Sequence, residues 1–160
     1  MKKLTQEQFD KLPVDTFGTK VVPAYSDLRE IKKFPEKCSF GGGCSFSEGC
    51  SFSEWCSFSE GCSFGELCSF GKLCSFGEWC SFGEGCSLIG KKILDFKAMD
   101  RIGPNKRKVY CWNLEGGLYF QAGCFFGTKE EFKKVVDAKY PKGSEHHQVI
   151  TILTKLTKIK

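Results

Sequence analysis

Between residues 38 and 90 the apolar positions recur with a period of six. Cys38, Cys44, Cys50, Cys56, Cys62, Cys68, Cys74, Cys80 and Cys86 are each followed by Ser, and two positions after each Cys stands Phe, replaced by Leu88 in the last unit. In an extended chain residues i and i+2 share a face, so Cys and Phe point inward together and Ser points out. Gly or Ser comes next, then usually Glu, then a position that varies among Gly, Trp and Leu. Six matches no helical period, and the density of glycine opposes a helix as well. The pattern predicts a three-residue strand and a turn, repeated: a mainly β fold built on a short parallel β-solenoid.

The flanks lack this rhythm. Thr5 and Gln8 form a capping box for a short helix over 6–11, stopped by Leu12–Pro13. Residues 20–22 read as a brief strand, and Ser26 as the cap of a second helix over 27–33. After the repeat, 92–98 alternates as a strand, and 109–114 with 118–122 reads as a hairpin around Glu115-Gly116-Gly117. Thr128 with Glu131 caps a helix carrying Phe132, Val135 and Val136 on one side. Pro141-Lys142-Gly143 breaks it, and Ser144 caps a last helix with Val149, Ile152, Leu153 and Leu156 as its expected apolar face. The organisation is thus an N-terminal capping segment, 1–37, the solenoid, 38–90, and a small α+β module, 91–160.

The small–x–large–Gly–x–x unit resembles the hexapeptide repeat of left-handed parallel β-helices, with Phe where an aliphatic residue is usual and Cys where a smaller or β-branched one is. That resemblance implies three hexads per turn, hence about three coils. Cys38, Cys56 and Cys74 then form one internal ladder, and two others run beside it. Stacked coils lie about 4.8 Å apart, but parallel Cβ vectors hold the sulfurs outside favoured disulfide geometry. The thiols are therefore expected to be free, acting as small buried apolar groups. In the same register Trp55 stacks with Leu73, and Leu67 and Trp79 occupy outer corners. Large apolar residues there suit an interface, and proteins of the resembled family commonly form trimers with parallel axes. A homo-oligomer, a trimer first, is expected.

A second resemblance lies in Gly123-Cys124-Phe125-Phe126-Gly127-Thr128, which leads into Glu130-Glu131-Phe132. It is similar to the tail of uncharacterised hexapeptide-repeat proteins of phages and prophages, and implies a phage accessory protein working in the host cytoplasm.

Charge alters this picture only in part. The net +5 hides an acidic repeat, with Glu48, Glu54, Glu60, Glu66, Glu78 and Glu84 against Lys72, between flanks of about +2 and +8 by direct count. Such a split disfavours nucleic acid as partner. No apolar run reaches membrane-spanning length and the N-terminus lacks the pattern of a secretory signal, so no membrane partner is expected. No Cys pair with neighbouring His supplies tetrahedral ligands, and no metal or other cofactor is expected. The basic constellation Arg101, Lys106, Arg107 and Lys108, followed by Tyr110 and Trp112, could hold phosphates and stack a base. The expected function is non-catalytic binding or assembly, with oligomerisation through the solenoid and a host protein or nucleotide-like ligand as partner, to counter host defence. The rival is an acyltransferase of the hexapeptide-repeat type, which would need His146 or His147 as general base.

Overall fold

The computed structural model describes residues 1–158 and resolves them into two compact units, one ending at Gly90 and one beginning at Lys91. The first unit is a β-solenoid. Each hexad contributes a short strand, and strands pair in parallel with those 18 residues away: Ser39 with Ser57, Ser45 with Ser63, Ser51 with Ser69. Three hexads therefore make one turn, and each turn lays one strand on each of three faces.

The coil number is four rather than three, because the solenoid begins before the Cys-Ser-Phe run. Lys20–Val22, Ser26–Asp27 and Lys33–Phe34 pair in parallel with the strands Cys38–Phe40, Ser45–Phe46 and Ser51–Phe52. Val22, Leu28 and Phe34 stand 18 residues before Phe40, Phe46 and Phe52 and are buried like them. The helix expected over 27–33 does not form. Asp27 instead holds the turn that follows, accepting from the Arg29 backbone N–H at 3.1 Å and from its guanidinium at 2.7 and 2.9 Å. Helix α1, Gln6–Asp10, carries the expected capping box. Its Phe9 meets Phe34 edge to face with centroids 5.4 Å apart, which covers the open end of the aromatic column.

Three phenyl rings fit in each layer by meeting edge to face. Phe40 and Phe46 lie 5.1 Å apart at 88°, Phe46 and Phe52 4.9 Å apart at 89°. Between layers the rings stack nearly parallel, as Phe40 does on Phe58 at 4.8 Å and 2°. Each ring thus puts its positive edge on a neighbour's face within the layer, a geometry that adds about 0.5–1.5 kcal/mol per pair to simple burial.

The thiols have a second task besides filling space. Cys56, Cys62, Cys68, Cys74, Cys80 and Cys86 each place Sγ within 3.2–3.5 Å of the carbonyl oxygen 21 residues earlier, the corner carbonyl of the coil below. A corner carbonyl falls outside the strand ladder, and a buried acceptor left bare is costly. Cysteine supplies a small side chain and a weak donor at that point. All eleven cysteines are free.

The second unit is a four-stranded antiparallel sheet in the order Phe125–Thr128, Gly117–Ala122, Arg107–Leu114, Lys91–Ile102. Helices α2, Lys129–Lys139, and α3, Glu145–Lys158, pack on one face of it. The core joins Val109, Cys111 and Phe120 from the sheet to Phe132 and Val136 of α2 and to Val149, Ile150 and Leu153 of α3. The expected apolar face of α3 is turned: His146, Val149, Ile150, Leu153 and Thr157 are buried, whereas Ile152 and Leu156 are exposed. No helix among the described residues is long and apolar enough to cross a membrane.

Candidate functional site

The basic constellation sits on the turn that joins the strands Lys91–Ile102 and Arg107–Leu114. The antiparallel register slips between Met99 and Ile102, and Arg101 and Lys106 both take positive φ, +58° and +46°. The Lys106 N–H closes the turn on the Gly103 carbonyl at 3.0 Å. Arg101, Lys106 and Arg107 are exposed, and no ion pair is recorded for them among the described residues. Lys108 differs, pairing with Asp100 at 3.4 Å and lying over the Tyr110 ring at 5.8 Å.

Tyr110 and Trp112 do not join this cluster as a stacking platform. Both are buried; Trp112 stacks with Phe96 at 4.9 Å and with Tyr110 at 5.6 Å, and its Nε1–H donates to Gln121 Oε1 at 3.2 Å. Strand alternation is the reason. Side chains at 108, 110 and 112 share one face, but only the end of that strand next to the turn remains open. The turn leaves three cations exposed, and the two aromatic rings expected to accompany them are buried.

The two histidines have structural surroundings. His146 is buried and its ring stacks on Tyr140 with centroids 3.7 Å apart. Burial lowers its pKa below the ordinary imidazole value, and the positive Arg107 works in the same direction, against an opposing pull from Glu145. His147 is engaged at both ring nitrogens, Nδ1 with Ser144 Oγ at 2.8 Å and Nε2 with Asp137 Oδ1 at 2.9 Å. It thereby ties the C-terminal turn of α2 to the first turn of α3. Sequence reading found Ser144 as a cap, but nothing local pointed to Asp137, which lies on the other helix.

The corner residues of the solenoid form the most regular constellation. The last position of each hexad has left-handed backbone. Gly43, Gly49, Gly61 and Gly85 adopt φ of 67–74°, and Trp55, Leu67, Leu73 and Trp79 adopt 56–62°. For a residue with a Cβ this conformation costs about 1–2 kcal/mol. Trp79 is 82% exposed and Leu67 68%, with Trp55 exposed to a lesser degree and Leu73 half-buried. At two positions small and large residues are matched along a corner: a Cβ on Gly85 would stand 2.7 Å from Leu67 Cδ2, and one on Gly43 2.7 Å from Tyr25 Cδ1. Gly85 and Gly43 thus make room for the apolar side chain one coil away, whereas a Cβ on Gly49 or Gly61 would meet nothing within 4 Å.

Comparison with protein-family models, with curated proteins and with solved structures returned no match.

Proposed function

We propose that the solenoid is an assembly module that associates with further copies of itself through its corner residues Trp55, Leu67, Leu73 and Trp79. One observation carries this reading. Four bulky apolar side chains hold a backbone conformation that four sister positions leave to glycine, and three of them, Trp55, Leu67 and Trp79, are exposed to solvent. Neither folding nor solubility is served by that choice, since glycine would be less strained and less sticky there. The left-handed hexapeptide type of coil, with copies packed side by side on parallel axes, belongs to the same reading and favours a trimer.

The decisive experiment is sedimentation velocity on the wild-type chain and on the double variant Leu67→Gly, Trp79→Gly. Glycine suits the left-handed corner, so the variant keeps its fold. The wild type is expected near the mass of three 18.0 kDa chains, and the variant at that of one. A wild-type monomer at tens of micromolar would sink the proposal.

A ligand role for the basic turn is a second part of the reading, supported by the exposure of Arg101, Lys106 and Arg107 on one tight turn. An oligomer would repeat that turn once per subunit, which suits the sequestering of a phosphate-bearing small molecule. A phage setting, implied only by the sequence resemblance at residues 123–132, would make such sequestration a way to blunt a host defence signal. Acyl transfer finds less support, because His146 is buried with its ring stacked on Tyr140 and both ring nitrogens of His147 are engaged in tying α2 to α3.

A further inference from the structure

The faces of the solenoid differ in charge. One sheet joins Lys20–Val22, Cys38–Phe40, Ser57–Phe58 and Ser75–Phe76, and its outward positions are Val21, Ser39, Ser57 and Ser75, all uncharged. The matching rows of the other two sheets begin with Asp27 and with Lys33. Two unlike corners flank the uncharged face. One carries Lys37, Trp55 and Leu73, with Lys72 just before Leu73. The other carries Gly43, Gly61 and Trp79, with Glu60 and Glu78 just before the last two. No ion pair is recorded for Lys72, Glu60 or Glu78 among the described residues.

These corners are complementary in shape as well as in charge. A Cβ on Gly61 would meet nothing within 4 Å, so an open notch lies there, between Trp79 one coil on and the Tyr25 ring that covers Gly43. Copies related by rotation about an axis parallel to the solenoid stand at equal height. A coil advances about 4.8 Å, so residues six apart on adjoining corners differ in height by about 1.6 Å. Trp55 of one copy then faces the Gly61 notch of the next, Leu73 faces Trp79, and the Lys72 ammonium faces the Glu78 carboxylate. Glu54 meets Glu60, the one like-charge approach, with Lys72 of its own chain one coil away.

The same sheet supplies a further anchor at its N-terminal edge. Residues 13–21 form a hairpin on that edge, closed by the Val14–Lys20 bridge, and its tip displays Phe17, 83% exposed. The turn is rigid. Asp15 Oδ1 accepts the Phe17 and Thr19 N–H groups at 2.8 and 2.9 Å, and the Asp15 N–H donates to the Thr19 carbonyl at 2.8 Å. A ring held out on a turn so fixed loses little freedom when a partner covers it, the property of an interface anchor.

We infer that the uncharged face is where the next copy of this chain packs, with the Trp55–Leu73 corner of one chain seated on the Gly61–Trp79 corner of its neighbour and Phe17 closing the N-terminal end of the contact. The inference rests on the self-association proposed above and gives it a direction. Each chain offers one corner and receives the other, a head-to-tail contact that a threefold rotation closes into a ring.

The test is charge exchange in the full chain, read by sedimentation velocity at low salt, with thermal melting of each variant as a check on its fold. Lys72→Glu alone and Glu78→Lys alone should each weaken assembly about tenfold or more, since the repulsive pair recurs at every contact of the ring. The double variant Lys72→Glu, Glu78→Lys should assemble nearly as wild type does, because the exchanged charges meet across the same contact. Phe17→Ser should melt as wild type and assemble about tenfold more weakly. A wild-type trimer indifferent to these changes, or a double variant as weak as either single one, would overturn the inference and leave self-association standing. Rescue of Lys72→Glu by Glu66→Lys instead would overturn it by moving the contact to the Leu67 corner. A monomeric wild type would remove this inference together with the reading it rests on.

Discussion

The two units reach stability by opposite routes. In the solenoid one local rule is applied again and again: through the Cys-Ser-Phe run coil after coil repeats the inward rings, the thiol-to-carbonyl contact and the left-handed corner. In the C-terminal unit no contact recurs, and the core depends on pieces far apart in sequence, such as Phe120 on Phe132 and Val109 near Leu153. Repetition makes the first unit tolerant at its surface and intolerant along its axis, because any change in coil spacing is transmitted to the coils on either side. The second unit should show the reverse, with each substitution felt where it is made.

The largest effect should come from Phe58→Ala. Phe58 is buried at mid-column, stacked on Phe40 and Phe76 and edge-on to Phe52 and Phe64. Its loss should cost about 3–5 kcal/mol in denaturant unfolding. Loss of hydrogen-exchange protection should spread to the coils above and below. Phe120→Ala in the other unit should cost a similar amount, with the loss of protection confined to the sheet and helices it touches. Equal confinement in both variants would break the contrast between the units.

Glycines sharpen the contrast further. A Cβ on Gly77 would lie 2.4 Å from the Glu60 backbone nitrogen of the coil below, whereas one on Gly61 meets nothing within 4 Å and suffers only from its φ of +67°. Gly77→Ala should therefore cost about 1–3 kcal/mol by forcing coils apart. Gly61→Ala should cost about 1 kcal/mol for the left-handed backbone alone. Chemical denaturation of the two variants, in parallel, tests whether axial spacing is the sensitive coordinate.

Much of this was legible in the sequence, and what was not has physical causes. The hexad period gave strand, corner and inward face directly, since each is a local consequence of i, i+2 alternation and glycine. The first coil escaped notice because it keeps only the large inward residues, Val22, Leu28 and Phe34; the Cys and Gly positions hold other residues, and Ser26 mimics a helix cap. A search for apolar residues at spacing six, blind to their identity, would have found it. In the C-terminal unit the capping box at Thr128 and the hairpin at Glu115–Gly117 could be read locally. The strand Phe125–Thr128 and the turned face of α3 could not, because each is set by what packs against it. Likewise the spacing from Lys108 to Trp112 suggested a cationic and aromatic site, but which end of that face stays open depends on the remaining sheet.

The smallest effect, and the last contrast between the units, is their response to acid. His146 is held in its neutral form by burial, so its folded-state pKa lies below the unfolded value of about 6.5. The unfolded chain therefore binds more protons around that pH. His146's contribution is complete above the unfolded value and is lost as pH falls through it. In the solenoid the carboxylate held below its ordinary range is Asp27, lowered to about 2 by its hydrogen bonds with Arg29. Its contribution is present above the unfolded carboxylate value of about 3.9 and is lost only as pH falls from there toward 2. Near-UV signals from Trp112 should thus weaken at a higher pH than the far-UV β signal of the solenoid. Replacing His146 with Phe should move the first change toward lower pH and leave the second where it was. Coincident transitions that ignore the substitution would show that acid acts on the whole chain at once, and not on two cores of different construction.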